Sequence, residues 1–152
     1  MAHMVNLAHA LSRWSRRNAL RPIVFGTACC ADELAAALGP RFDDGRSGLL
    51  PPSETPGPAD VLIVAGRVSL DAIPALRQIY GAMAPPRWVM AFGSCAASGG
   101  MFDTYAAAGG VASALPPDVP VDVHVPGCPP RPEDLCDALE ALRQRMGRAA
   151  QG

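Results

Sequence analysis

Four cysteines occupy similar positions in this chain, each following an apolar, strand-like run. Cys29 and Cys30 follow RPIVFGTA, Cys95 follows WVMAFGS, and Cys128 follows VDVHVPG. In open α/β sheets the carboxyl ends of parallel strands lie along one edge, and ligands collect there. We therefore expect the four thiols to meet at that edge and to surround one metal centre.

Three kinds of cysteine chemistry compete for these positions. A disulfide between Cys29 and Cys30 is disfavoured, because Cα atoms joined by a trans peptide lie about 3.8 Å apart, below the usual disulfide range of about 4.4 to 6.8 Å. Four thiolates can hold structural zinc, but such sites normally use paired CxxC motifs, and this sequence has none. A 4Fe-4S cluster spreads its thiolates over separate irons, so its ligands can be distant in sequence. The cluster is favoured, and zinc stays open as the alternative.

The neighbours of the cysteines suit a cluster. Glycines beside the cysteine segments would let backbone N–H groups approach an inorganic core: Gly26, Gly93, Gly99, Gly100 and Gly127. Cys136 is predicted to be a core residue of the last helix, and His124 to be packed within a strand. No Ser-His-Asp, Cys-His, GxGxxG or P-loop pattern is visible, which disfavours hydrolase and nucleotide-binding functions.

Composition limits the class of protein. At 152 residues the chain is long enough for one domain. It is 49% hydrophobic and only 18% charged, with 15 Gly and 16 Pro, which indicates a globular protein whose weakly charged surface is partly covered by a partner. No apolar run approaches the roughly 18 residues of a membrane span, and no signal peptide is recognisable. We expect a soluble or peripheral cytoplasmic protein that binds no nucleic acid.

The apolar pattern predicts alternating strands and helices, and hence an α/β fold with a parallel sheet of about four strands and flanking helices. Strands are predicted at residues 21–25, 61–65, 88–92 and 121–125. Helices are predicted at residues 31–38, from a Ser69 cap through Tyr80, and at residues 131–148. The long stretches 39–58 and 99–120 are predicted to be irregular.

The N-terminus is predicted to be an attachment element. Leu7, Leu11 and Trp14 share one helical stripe, and Arg13, Arg16 and Arg17 lie beside it. Such a basic amphipathic helix could pack on its own domain, on a neighbouring subunit or on an anionic membrane surface. We therefore divide the chain into an attachment helix at residues 1–18, an iron-sulfur α/β domain at 19–148 and a tail at 149–152.

Motifs across most of the chain resemble one known family. FGTACCADE resembles that family's tandem-cysteine motif, and ADVLIVAG, PALRQIY, PRWVMAFGSCAASGG and VDVHVPGCPP follow in the family's order. The family is the B subunit of the proton-pumping NADH-quinone oxidoreductase, respiratory complex I, which is related to the small subunit of nickel-iron hydrogenases. The resemblance extends from about Val5 to Met146. Because the hydrogenase relatives typically have CxxC where this chain has Cys29 and Cys30, the complex I branch is favoured.

The resemblance implies a flavodoxin-like fold with a 4Fe-4S cluster at the carboxyl ends of the strands, bound by Cys29, Cys30, Cys95 and Cys128. It implies a terminal cluster that passes single electrons to quinone, in a translocase subunit that catalyses nothing alone. The quinone site would be shared with a large hydrogenase-like subunit. A ferredoxin-like subunit and a membrane arm would be further partners, on the cytoplasmic side of the inner membrane.

Three positions qualify this expectation. Glu33 matches an acidic position of the family, and an acid near a cluster that gains negative charge takes up a proton more readily. A solvated acid near a helix start is the alternative interpretation.

Leu34 and Ala35 stand where the family usually has methionines that line the quinone chamber, so quinone contact is predicted less firmly than the cluster. A small subunit of a related membrane-bound hydrogenase-type complex, or a structural zinc protein, remains the alternative.

Overall fold

A parallel sheet lies at the centre of the fold. The computed structural model describes residues 11–149 except 13, 16, 17, 43–47 and 103. In this part of the chain, four strands lie side by side in sequence order: β1 (Pro22–Gly26), β2 (Val61–Ala65), β3 (Trp88–Phe92) and β4 (Val123–Val125). All neighbouring strands are parallel, as the continuous apolar runs predict.

Helices connect the strands and cover the sheet. From Leu20 onwards, the helices of the described residues are α1 (Ala28–Ala37), α2 (Ile73–Ala82), α3 (Ser94–Ser98), α4 (Val111–Ala114) and α5 (Pro132–Ala149). Short 3-10 turns occur at Leu70–Ala72 and Gly100–Phe102. The predicted α/β architecture is therefore confirmed.

Two apolar cores lie on opposite faces of the sheet, because successive side chains of a strand point to opposite sides. On one face, Val61, Ile63 and Ala65 of β2 pack with residues of α1 and α5 such as Leu34 and Leu139. On the other face, the intervening residues of β2 pack with residues of α2, α3 and α4. All five residues of β2 are buried, which explains its uninterrupted apolar sequence.

A short segment extends the sheet beyond β1. Leu20 and Leu49 form a parallel bridge, in which the N–H of Leu20 donates to Gly48 and the N–H of Leu50 donates to Leu20. The next carbonyl, that of Arg21, accepts hydrogen bonds from Asp60 and Val61 at the start of β2. The Leu49 segment and β2 therefore lie on opposite sides of β1. The spatial order thus follows the flavodoxin-like pattern, in which the second extended segment lies outside the first.

Several element boundaries differ from the predictions. The helix predicted at 31–38 begins at Ala28, so Cys29 and Cys30 lie in its first turn. The predicted Ser69 cap is wrong, because a 3-10 turn intervenes and the Ser69 hydroxyl makes no capping hydrogen bond. Strand β4 is shorter than predicted. One reason is that the Asp122 carboxylate accepts the Val89 N–H at 2.8 Å, a bond that strand pairing would give to a carbonyl.

Two side chains are more exposed than predicted. Cys136 is exposed, because it lies one position past the apolar stripe of α5, which contains Leu135, Leu139 and Leu142. The prediction that Cys136 belongs to the core is wrong. His124 is also exposed on β4 between buried Val123 and Val125, so it is not packed inside the protein.

The predicted N-terminal helix is described in part. Leu11, Ser12, Trp14, Ser15 and Asn18 are helical. Leu7 and the three arginines of that helix lie outside the described residues, as does most of the predicted tail. Among the described residues, no helix is both long and apolar enough to cross a bilayer. The proposed division of the chain at residues 18 and 148 remains a prediction.

Candidate metal centre

The carboxyl ends of the strands deliver the four cysteines to one region. Gly26, Ala65 and Phe92, at the ends of β1, β2 and β3, are aligned in register, and Phe92 is aligned with Val125 of β4. The segments that follow three of these strands contain the cysteines. Cys29 and Cys30 lie in α1 after β1, Cys95 lies in α3 after β3, and Cys128 follows β4.

A row of backbone hydrogen bonds joins these loops to one another. Each bond connects the residues that follow one strand to the end of the next strand or its loop. The bonds are Thr27 N–H to Ala65 O at 2.9 Å, Gly66 N–H to Phe92 O at 3.1 Å, Gly93 N–H to Val125 O at 2.8 Å and Ser94 N–H to Gly127 O at 2.8 Å. The cysteine-bearing loops therefore form one connected unit.

The Ser94 side chain strengthens one of these connections. Its hydroxyl lies 3.0 Å from the Gly127 carbonyl oxygen as donor and 3.4 Å from the Gly127 nitrogen as acceptor. Ser94 precedes Cys95 and Gly127 precedes Cys128, so one side chain links the loops of two thiols. The sequence prediction did not include Ser94, although its position directly before a cysteine was a usable signal.

Two glycines leave room for cysteine sulfur atoms. A Cβ atom on Gly93 would lie 2.5 Å from the Cys30 Sγ, and one on Gly100 would lie 3.2 Å from the Cys95 Sγ. Gly93 also has φ 96° and ψ 157°, a conformation essentially restricted to glycine. The backbone therefore approaches two of the four thiols closely, as the glycine-rich sequence predicts.

Backbone strain is concentrated near the same cysteines. Ala28, directly before Cys29, is the one non-glycine residue of the described chain with positive φ, at 54°. Such a left-handed conformation costs a residue with a side chain about 1 to 2 kcal/mol. Strain of this kind clusters at functional sites, where the surrounding structure maintains it.

The four thiols act on one another electrostatically. Burial, followed by the neighbouring Cys29, Cys95 and Cys128 thiols, raises the pKa of Cys30 to about 11, and Cys29 also hydrogen bonds to it. Burial and the thiols of Cys128 and Cys29 also raise the pKa of Cys95. All four predicted ligands therefore lie close enough to act on one another as one group. Cys136 is not among the thiols that act on Cys30 or Cys95.

The group has a buried side and an open side. Cys30 and Cys95 are 2% and 7% exposed, whereas Cys29 and Cys128 are exposed. Large apolar side chains stand exposed in the segment after Cys95: Met101 is 80% exposed, Phe102 48% and Tyr105 98%. Two of the four thiols are therefore accessible from the surface, and the segment after Cys95 exposes large side chains of the kind that mark interaction sites when they form a patch.

The donor set can be compared with what candidate metals require. Among the described residues, no group of three or more His, Cys, Asp or Glu side chains is arranged to hold one metal ion. In an iron-sulfur cubane, each thiolate binds its own iron, so the four sulfurs need not converge on a single ion. An all-cysteine set is suited to iron-sulfur clusters, and a bound metal would remove the protons from the Cys30 and Cys95 thiols.

Other residues of the site region have distinct positions. Glu33 lies in α1, partly exposed, one turn beyond Cys30. Leu34 is fully buried in the core, and Ala35 is exposed. Arg67, which the sequence prediction did not include, follows β2 and acts electrostatically on Cys95. Its position after a strand end was the only signal for it in the sequence.

Comparisons with known proteins give a consistent result. The family model of the 20 kDa subunit of NADH ubiquinone oxidoreductase matches residues 23–142. The B subunit of the NADH-quinone oxidoreductase of Mycobacterium tuberculosis is 49% identical over 143 residues, which are 94% of this chain and 76% of the relative. The corresponding B subunit of Mycobacteroides abscessus is 47% identical over 149 residues, covering 98% of this chain and 79% of the relative.

A solved structure also resembles the fold. It is a chain of the membrane-bound sulfane sulfur reductase, an archaeal respiratory membrane complex. The TM-score is 0.79 and the sequence identity 31%, and the match covers 91% of this chain and 76% of that one. The similarity therefore extends to sequence as well as to fold.

Proposed function

Because this chain belongs to the family of the 20 kDa subunit of NADH ubiquinone oxidoreductase, the B subunit family of complex I, we propose that it holds one 4Fe-4S cluster. The ligands would be Cys29, Cys30, Cys95 and Cys128. The cluster would be the last one of the complex and would pass single electrons to quinone at a site shared with the large partner subunit.

The observation that carries this proposal is the position of four thiols at one edge of the sheet, in loops that backbone hydrogen bonds join to one another. They come from three separate segments of the chain, yet Cys30 is affected by all three of the others. An all-thiol donor set without an accompanying general base or nucleophile pattern favours metal binding over covalent catalysis. When bound, a 4Fe-4S cluster supplies one-electron transfer.

The residues around the thiols have separate tasks in this proposal. Cys30 and Cys95 keep the inner side of the site away from water because they are buried. Gly93 allows the backbone to approach the Cys30 sulfur, where N–H groups can tune the potential of a cluster. Ser94 holds the Cys95 and Cys128 loops together through Gly127.

The open side of the site is the proposed contact with the large subunit and quinone. The exposed Cys29 and Cys128 and the apolar side chains of Met101, Phe102 and Tyr105 support it, because such a surface favours an apolar partner. Leu34 does not support quinone contact, since it is buried in the core. We propose Glu33 as a proton-coupled acid beside this site. A peripheral position on the cytoplasmic side of the inner membrane belongs to the same proposal.

A second candidate keeps the cluster and changes the acceptor. The structural relative is a chain of a respiratory complex named as a sulfane sulfur reductase. In addition, Leu34 and Ala35 replace the methionines that the resemblance leads us to expect in a quinone chamber. In this alternative, the chain is the small subunit of a related membrane-bound complex whose acceptor is not quinone.

Metal analysis tests the cluster directly. After anaerobic reconstitution, the full chain should contain about four iron and four sulfide and give an EPR signal when reduced. Serine variants of Cys29, Cys30, Cys95 and Cys128 should each lose iron. Cys136→Ser is the matched control, because it removes an exposed thiol outside the group and should leave iron content unchanged. One zinc per chain with no iron would contradict the proposal.

A separate experiment tests the acceptor. Membranes that contain the complete complex should reduce a short-chain quinone with NADH, and the Cys95→Ser variant should abolish this activity. A cluster-loaded complex that oxidises NADH but transfers no electrons to quinone would favour the second candidate.

A further inference from the structure

Arg67 is held by its backbone between two cysteine-bearing segments. It follows β2 after Gly66, and the Thr27 hydroxyl donates a hydrogen bond to its carbonyl oxygen at 2.6 Å. Thr27 stands two residues before Cys29. On the other side, the Gly66 N–H donates to Phe92 at the end of β3, three residues before Cys95.

Gly66 fixes this placement. Its φ is 86°, and a Cβ atom there would lie 2.1 Å from the Thr27 carbonyl oxygen. Only glycine allows this close approach of the two loops. The backbone of Arg67 is therefore fixed at the edge of the sheet where the cysteines are grouped.

The Arg67 side chain places a positive charge at this edge. The residue is exposed, while Cys95 is buried. Burial and the Cys128 and Cys29 thiols raise the pKa of Cys95, and the Arg67 guanidinium opposes them. Among the groups that act on Cys30 and Cys95 in the described chain, Arg67 is the one cation.

We propose that Arg67 raises the reduction potential of the centre bound by the four cysteines; this inference rests on the proposed function. Transfer of one electron to the centre increases its negative charge by one, and the proton that Glu33 is proposed to take up belongs to a separate step. A fixed positive charge at the Cys95 side stabilises the reduced form more than the oxidised form. Arg67 therefore acts on the centre through its charge and does not bind the metal.

The size of the effect follows from exposure. Water and salt screen a charge on an exposed side chain, so we expect the equilibrium constant for reduction to change about three- to tenfold. A tenfold change in a one-electron couple corresponds to about 59 mV. Screening also predicts a smaller effect at high salt, because the Debye length falls from about 10 Å at 0.1 M to about 3 Å at 1 M.

The test is an EPR-monitored redox titration of the reconstituted full chain. At low salt, Arg67→Gln should lower the midpoint potential by the equivalent of a three- to tenfold change in the equilibrium constant for reduction. At 1 M salt the decrease should be smaller. Arg67→Lys keeps the charge and should retain most of the wild-type potential. Arg148→Gln is the matched control: it removes the same charge near the end of α5, roughly 24 Å along the helix from its start.

The outcomes separate this inference from the function on which it rests. Equal potentials in wild type, Arg67→Gln and Arg148→Gln, in a chain that holds its iron, would overturn the role of Arg67 alone. An equal loss in Arg67→Gln and Arg67→Lys would assign the effect to packing and would also overturn it. A wild-type chain that takes up no iron would overturn both the inference and the proposed function.

Discussion

Gly93 is a residue at which a side chain would come within 2.5 Å of a cysteine sulfur in the candidate metal centre. It connects β3 to the loop of Cys95, and its missing side chain leaves room for the sulfur of Cys30. Two proposed ligands from different parts of the chain, Cys30 and Cys95, thus depend on one small residue. Its conformation, with φ at 96°, adds a second reason for glycine at this position.

We expect Gly93→Ala to reduce both stability and iron binding. The backbone conformation alone should cost about 1 to 3 kcal/mol. The added Cβ would also displace the Cys30 Sγ, which lies 2.5 Å from its position. The change is measured by urea unfolding and by iron content after reconstitution.

The control for this variant is Gly81→Ala. Gly81 lies in α2, and a Cβ atom there would meet nothing within 4 Å. Alanine is the better helix former by about 1 kcal/mol, so this variant should be as stable as wild type or more stable, with unchanged iron. Normal iron content in Gly93→Ala would contradict the proposed role of the close approach.

At the scale of the elements, α1 and α5 pack together on one face of the sheet. Leu139 of α5 and Leu34 of α1 are fully buried in the same core as β2 and β3. Both helices begin near the cysteines and continue away from them. Packing of the two helices therefore positions Cys29, Cys30 and Cys128 indirectly.

Leu139→Ala should destabilise the protein by about 2 to 5 kcal/mol, because it removes a fully buried side chain and leaves a cavity. Chemical unfolding measures this loss. Leu70→Ala is the matched control, since Leu70 is 48% exposed and should change stability by less than about 1 kcal/mol. Similar losses in the two variants would show that the α5 interface contributes less than its burial indicates.

At the scale of the whole molecule, Asp122, directly before β4, links β3 to α5. Its carboxylate accepts the Val89 N–H of β3 at 2.8 Å, and it lies 4.0 Å from Arg145 of α5, whose guanidinium also donates to the Asp122 carbonyl. Burial raises the pKa of Asp122, although the Val89 hydrogen bond and Arg145 oppose this effect. Its protonation is therefore coupled to folding.

The raised pKa of Asp122 fixes the sign of a pH dependence. Since the folded state binds this proton more tightly than the unfolded state, the stabilisation is present below pH about 4 and is lost as pH rises through the folded pKa. The stability of wild type relative to Asp122→Asn should therefore fall from pH 4 upwards and then level off. Urea unfolding of both proteins between pH 4 and 7 measures the difference, with Asp118→Asn as an exposed control. A difference that grows with pH would contradict this assignment.

The N-terminal helix belongs to the scale of the assembly. Leu11 and Trp14 lie three residues apart, on one helical face, and are 57% and 67% exposed. A double variant with serine at both positions should weaken co-purification with partner subunits, because apolar contact area is lost, while iron content stays unchanged. Quantitative pull-down and metal analysis measure the two properties. Loss of iron in this variant would show that the helix supports the cysteine site instead.

The sequence by itself was sufficient for the architecture. Residues 61–65 and 88–92 were predicted as strands with the observed bounds, because continuous apolar runs are buried on both faces of a parallel sheet. The four cysteines could be selected as one group because each follows such a strand. The family could be recognised from the motifs around them, and the comparisons confirm it.

Only the tertiary structure decided which side chains act together. No pattern in the sequence relates Ser94 to Gly127 or Arg67 to Cys95, because these contacts join segments that the sheet brings side by side. The exposure of Cys136 was missed for a similar reason. One residue along a helix turns a side chain by about 100°, and only the packed partners of α5 determine which direction is the interior. Periodicity and local motifs are properties of the linear sequence, whereas electrostatic effects and contacts between side chains depend on distances in space.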